Sequence, residues 1–400
     1  SLLDRAVGHR HGLVPPAIEV PPTPADLDGI HNWSVAYSAE DPWRSAGGGV
    51  GWTQEVARDA ARAEALERYA AVSYELPIYT PDGTPSSSPE YLSPFGFASQ
   101  TATLPPSPLT PSDVLPLDEF TLFSPMQRQD PHFPHAATFA GDAALTDVYR
   151  LPSNQPALAP AALVGLTDAY GALPTSSGLA AGPTIDHTLL RALQELIERD
   201  AYMSTWLHAL VPPHRALDLR YTEPVRDRGG WVIAFDITPA YSSHAVAMIL
   251  GNLPMEGSPR VSVGLACRAA WDDAVDKAYL EWSQGVIFAG HRSRREKLSF
   301  ADASHVRDFD DHAVYYTVHP DRWQQLPFMT TRSTTAETVR PIPDDASWRA
   351  LAAHLEMHSI RTYYRDLTLI DLHQIGLRVV RVLSPDLTPI HSDHRWPHLG

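Results

Sequence analysis

The chemistry of this chain starts from a spacing that occurs twice. Glu64, Glu67 and Arg68 stand at i, i+3 and i+4 in ARAEALERYA (61–70), and Glu195, Glu198 and Arg199 repeat the arrangement in ALQELIERDA (192–201). On a helix each set projects from one face. A fainter third copy, Glu281 and Gln284 in AYLEWSQG, keeps the first carboxylate, replaces the second by an amide and lacks the arginine. One such window alone is commonplace on a solvent-facing amphipathic helix. Its return at matched apolar positions argues for three related helices and one composite site.

Four glutamates brought to a common point repel one another and rise in pKa unless something cationic lies between them. Hard divalent cations with oxygen ligands answer that need. Magnesium takes a few carboxylates together with phosphate oxygens and retained waters, so the pattern reads as a metal–nucleotide site with Glu64, Glu67, Glu195 and Glu198 as metal ligands. Arg68 and Arg199 then pair with a carboxylate or take phosphate oxygens. Gln284 is either a partner for phosphate or metal-bound water, or a structural amide.

Three helices must carry these faces. Thr53 is placed to cap the first, with Glu55 in its opening turn and helical spacing to about Tyr74, before Leu76 and Pro77 stop it. Ala57, Ala61, Leu66 and Ala70 form its packed side. Thr184 caps the second, expected to reach Leu210 before Pro212 and Pro213, and Asp272 and Asp273 open the third, expected to end near Gly290. HNWSVAYS (31–38) alternates as a strand, with a turn expected at Asp41 and Pro42. Gly47, Gly48, Gly49 and Gly51 then suit a tight turn or a close approach to phosphate. Short strands are expected at 147–152 and 161–164, and buried ones at 231–238, 244–250 and 260–267. The C-terminal part reads as helix 348–357, strand 362–368, helix 370–376 and strand 378–384. Residues 77–135 carry prolines every few positions, too many for regular helices or central strands, and form an insertion or a loop layer over the site.

Composition narrows the function further. With 400 residues, 44% of them hydrophobic, the chain can bury a large core, and a formal charge of −16 argues against nucleic acid or an anionic membrane as partner. A single cysteine, Cys267, excludes an intrachain disulfide and suits a reducing compartment. No apolar run is long enough to span a bilayer and no signal peptide opens the chain, so a cytoplasmic location is expected. HRSRREK (291–297) is the most basic stretch, either a solvated face or a receiver of acidic peptide or phosphate. The terminal His391, His394 and His398 have no readable zinc spacing.

GGGVGWTQEVARDAARAEALERYA (47–70), SSGLAAGPTIDHTLLRALQELIERDA (176–201) and DDAVDKAYLEWSQ (272–284) resemble the three nucleotide-binding segments of the YcaO family, and YYRDLTLIDLHQIGLRVVRVLSPDLTPIH (363–391) is similar to its closing segment. The resemblance implies one large α/β domain over 25–400 behind an N-terminal arm (1–24), with repeated helix–strand units around a nucleotide site. It implies ATP and Mg2+ as cofactors and activation of peptide amides, most often cyclodehydration of Cys, Ser or Thr to azolines. Ser176 and Ser177 fall where relatives carry a Ser-Asn-Gly turn and join the expected phosphate set. Three departures stand out: Val50 where a lysine is usual between glycines, Ala60 for a serine, and His187 for an acidic residue eight positions before Glu195, with Asp186 beside it as a substitute. Expected partners are a precursor peptide, a separate leader-binding protein and a second copy in a homodimer. Thioamide or macroamidine formation stays open within the family, as does a nucleotide-impaired scaffold that only presents a peptide, or a metal-dependent hydrolase.

Overall fold

The computed structural model describes residues 2–38, 41–80, 83–84, 114–140, 143–171, 173, 175–296, 298–330 and 341–400. Its strands form three sheets. The first is β1 (Ile18–Glu19), β2 (His31–Ser38) and β3 (Asp41–Gly51), in that order. A second begins with β4 (Leu145–Leu151), β5 (Pro156–Pro160) and β6 (Leu179–Gly182). The third is the meander β7 (His214–Arg215), β8 (Trp231–Asp236), β9 (Ala245–Asn252) and β10 (Val261–Arg268). Two late strands, β11 (Thr362–Asp366) and β12 (Arg378–Leu383), insert into the second sheet to give the order β5-β4-β11-β12-β6. Every registered pairing in these sheets is antiparallel.

Three of these strands run almost directly into the three motif helices: β3 into α1 (Gln54–Ser73), β6 into α2 (Ile185–Leu207) and β10 into α3 (Trp271–Glu296). Thr53 and Thr184 cap α1 and α2 as expected, each accepting from a backbone N–H three residues on. Glu64, Glu195 and Glu281 are each the eleventh residue of their helix, so the three units repeat in structure as well as in sequence. Each helix packs on its own strand and on the next unit's strand: α1 on β3 and β6, α2 on β6 and β10, α3 on β10 and β3. The arrangement closes on itself, which turns the motif faces inward.

Glycine makes the close packing possible. The cluster at 47–51 does not turn; it is the end of β3, laid against α1. A Cβ on Gly49 would sit 2.1 Å from the carbonyl oxygen of Ala57, and one on Gly47 2.5 Å from that of Ala61. Gly264 in β10 meets α3 as closely, 2.0 Å from the carbonyl oxygen of Ala278. The expected turn at Asp41 and Pro42 is likewise strand. Residues Ala161–Leu163 form a short 3-10 helix rather than a strand, after Pro160 ends β5. Helix α2 stops at Leu207, three residues early, while α3 runs past Gly290 to Glu296 because Gly290 is where the buried Arg260 side chain lies against it. Helices α4 (Phe309–Val318) and α5 (Trp348–Met357) cover the outer sides of α3 and α2. Of the proline-rich stretch, residues 81–82 and 85–113 lie outside the described residues; Leu117, Phe120, Leu122 and Phe123 are buried in the core. The first segment also contributes to the core, through Ala6, Val14 and Val20.

Candidate active site

In the first unit Glu64 accepts from the Gly48 amide at 2.7 Å and from Arg68 at 2.5 Å. In the second unit the same bonds recur. Glu195 accepts from the Gly178 amide at 2.9 Å and pairs with Arg199. Gly178 holds φ +80, a left-handed conformation that a Cβ would strain. Arg199 also donates, through the terminal nitrogen that does not face Glu195, to the hydroxyls of Ser176 (3.3 Å) and Ser177 (3.0 Å), so both serines help fix the guanidinium. In the third unit Glu281 pairs instead with Lys277 at 3.0 Å.

The second residue of each motif reaches across to the neighbouring unit. Glu198 accepts from the Cys267 amide of β10 at 3.1 Å. Gln284 approaches β3, its Nε2 3.3 Å from where a Gly48 Cβ would be, and the Glu64 carboxylate lies 3.9 Å from the same point. Glu67 accepts no hydrogen bond among the described residues. Burial raises its carboxyl well above the ordinary range, and the nearby charges of Glu195 and Glu64 raise it further. Burial, then Glu281 and Glu195, push Glu198 up to about 8. Burial raises Glu195 too, although Arg199 and Arg381 pull it back. These mutual influences link Glu67 with Glu195, and Glu198 with Glu281, across all three helices. The motif residues therefore share one electrostatic site.

Arg381 lies outside the repeated helix motifs. It is buried in β12, donating to the carbonyls of Leu163 (3.0 Å) and Thr175 (2.5 Å), and its charge acts on both Glu195 and Glu67. An arginine flanked by valines in VVRVL was the available signal. Arg268, next to Cys267, likewise lowers Glu198. Asp186 is turned away from the glutamates: Trp348 Nε1 donates to it at 2.5 Å and Arg349 lies at 3.3 Å. His187 stands exposed on the first turn of α2; the part of its ring that is covered, then the charges of Arg191 and Arg268, lower its pKa. Val50 is buried in the hydrophobic core, where no side chain meets phosphate. The basic stretch forms the C-terminal end of α3 and is paired with carboxylates, Arg292 with Asp310 (2.7 Å) and Arg295 with Asp41 (2.9 Å).

Among the described residues no three carboxylate, histidine or cysteine side chains are gathered tightly enough to cage a metal unaided. The donor set nevertheless fits Mg2+ held jointly with phosphate. Its donors are carboxylate oxygens, Glu67 and Glu198 carry raised pKa values that a cation would relieve, and the space over Gly48 is kept open by the missing Cβ. Among the terminal histidines, His391 packs its ring against those of His312 and His398.

The family model described as YcaO cyclodehydratase, ATP- and Mg2+-binding, matches residues 48–388. A heterocyclase solved with substrate and cofactor resembles the fold with a TM-score of 0.69 at 18% identity, covering 97% of this chain and 51% of that one. This chain thus spans about half the length of that protein. YcaO from Methanopyrus kandleri, bound with AMPPCP and Mg2+, has a TM-score of 0.61 at 18% identity, covering 93% of this chain and 85% of that one. A chain of the E. coli microcin synthetase McbBCD complex gives 0.61 at 14% identity, covering 95% and 90%. No curated protein matches the sequence. With its three carboxylate-bearing helices in one ring and the family match running through all of them, the chain belongs to the YcaO family, whose cofactors are ATP and Mg2+.

Proposed function

We propose that this chain activates a backbone amide in a ribosomally made peptide, cyclising Cys, Ser or Thr onto the preceding carbonyl to form an azoline. The observation that carries the reading is the meeting of Glu67 with Glu195 and of Glu198 with Glu281 across the three helices, where the raised pKa values of Glu67, Glu195 and Glu198 ask for a shared cation. In this reading Glu64, Glu67, Glu195 and Glu198 hold magnesium and Glu281 supports them, while Arg68, Arg199, Gln284, Ser176 and Ser177 orient phosphate oxygens or the carboxylates themselves. When bound, Mg–ATP supplies the phosphoryl group with which the carbonyl oxygen leaves as phosphate, after the side chain has added to the amide carbon and before the amide nitrogen loses its proton. The protein's share is positioning and charge neutralisation. The Gly48 and Gly178 amides and the Ser176–Ser177 pair fix the motif side chains before anything binds.

A precursor peptide and a separate leader-binding protein complete the proposed system, with the chain itself as a homodimer. Mass spectrometry of candidate precursors after incubation with Mg–ATP tests it: one water lost per modified residue is expected, and Glu67→Gln or Glu198→Gln should abolish the loss. A product carrying sulfur, or an internal amidine, would move the assignment to a thioamide- or macroamidine-forming enzyme. The core burial of Val50 and the exposure of His187 favour one second reading, a scaffold that binds peptide without turning over nucleotide. Peptide binding with no Mg–ATP binding would select it.

A further inference from the structure

The motif face of α2 does not end at Arg199. Tyr202 stands seven residues beyond Glu195 and Trp206 seven beyond Arg199, which returns each side chain to within about 20° of the same direction. Both line a cavity of about 430 Å3, together with Leu265 of β10, His312 and Tyr316 of α4, and Trp323. Strand β10 joins this cavity to the carboxylates. The Cys267 amide donates to Glu198, and Leu265, two residues back on the same face of the strand, is cavity wall.

The chemistry of the walls restricts the occupant. The hydroxyls of Tyr202 and Tyr316 and the indole N–H of Trp206 make no hydrogen bond among the described residues. His312 Nε2 and His391 Nδ1 are buried without a partner. Burial and the neighbouring imidazoles hold His391 down to about 3 and His312 below its ordinary value, so those nitrogens carry no charge near neutrality. The cavity thus offers aromatic surface with uncharged donors and acceptors, and its volume lies within the range of roughly 300–1,000 Å3 typical of ligand pockets. Glu198 and Tyr202 are about 6 Å apart along the helix axis, and Trp206 is about as far again. An extended peptide advances about 3.3 Å per residue.

We propose that this cavity receives an aromatic side chain of the peptide substrate, about two to four residues from the amide activated at the carboxylates, and so selects which positions of a precursor are modified. The proposal rests on the amide-activation reading above. Isothermal titration of the whole chain with blocked tripeptides, acetyl-Gly-Xaa-Gly-amide with Xaa as Trp, Phe, Ala or Asp, tests it. The aromatic peptides are expected to bind about tenfold tighter or more, the return for burying one such side chain. Ala313→Trp, which fills the cavity, is expected to remove that preference. Phe309→Ala, at a lip that is 39% exposed and safe for folding, should weaken it severalfold. Equal affinity for the four peptides overturns the assignment, as does a preference unchanged in both variants. Displacement of the Trp peptide by Mg–ADP also overturns it, since the cavity would then hold the nucleotide base. Mg–nucleotide binding is scored separately: a wild-type chain that binds no nucleotide but keeps the aromatic preference fails the functional reading and not this one.

Discussion

Glu198 would hold its proton near neutral pH until a cation takes its place, because burial and the charges of Glu281 and Glu195 push it up to about 8. A carboxyl whose folded pKa lies above its ordinary value of 4.5 stabilises the fold most fully below that value, and the stabilisation is lost as pH rises through the folded value. Thermal melts without divalent cation should therefore show Tm falling between about pH 4.5 and about 8, with Glu198→Gln flattening the decline. A Tm that rises across that window would contradict the assigned burial. Cation binding runs the other way. Magnesium with a non-hydrolysable nucleotide must displace these protons, so its apparent affinity should increase with pH over the same interval, as titration calorimetry at several pH values would show. That Glu64, Glu67, Glu195 and Glu198 project from matched faces of their two helices was legible because spacing on a helix fixes a common face. For Arg381 its setting between valines in VVRVL signals a buried arginine, but nothing local says which distant helix its charge balances.

At the scale of elements, adjacent glycines in β3 separate two roles. Gly49→Ala would drive a Cβ to 2.1 Å from the Ala57 carbonyl oxygen, which only a shift of β3 from α1 relieves. A loss of about 1–3 kcal/mol is expected in chemical denaturation, with cooperativity retained. Gly48→Ala meets only the Gln284 amide at 3.3 Å and the Glu64 carboxylate at 3.9 Å, so stability should hold while Mg–nucleotide affinity falls severalfold. Equal destabilisation by the two substitutions would refute the division of labour. Capping and periodicity made the starts of α1 and α2 readable to the residue, through Thr53 and Thr184. The glycine run suits a turn or a close backbone approach equally well in sequence, because glycine's conformational freedom and its lack of a Cβ look alike there; here the second property is used, against α1.

For the whole molecule, the ring of units must be closed from outside as well as within. Asp26, in the segment before β2, forms a buried pair with Arg260 at 2.7 Å, and Arg260 in turn supports α3 at Gly290. Asp26→Ala leaves that guanidinium buried without its counter-charge and should cost about 3–5 kcal/mol in chemical denaturation. A cost under about 1 kcal/mol would mean that the segment contributes little to closure. The sequence by itself determined that the repeated glutamates ride on matched faces of three helices, because a repeated spacing and its caps are local properties of the chain. Only the tertiary structure decided that α1, α2 and α3 each pack on the next unit's strand, that Asp186 serves Trp348 rather than the glutamates, and that an aromatic cavity continues the motif face. Those outcomes depend on contacts between segments far apart in the chain, where burial and like charge are set by neighbours that no local pattern names.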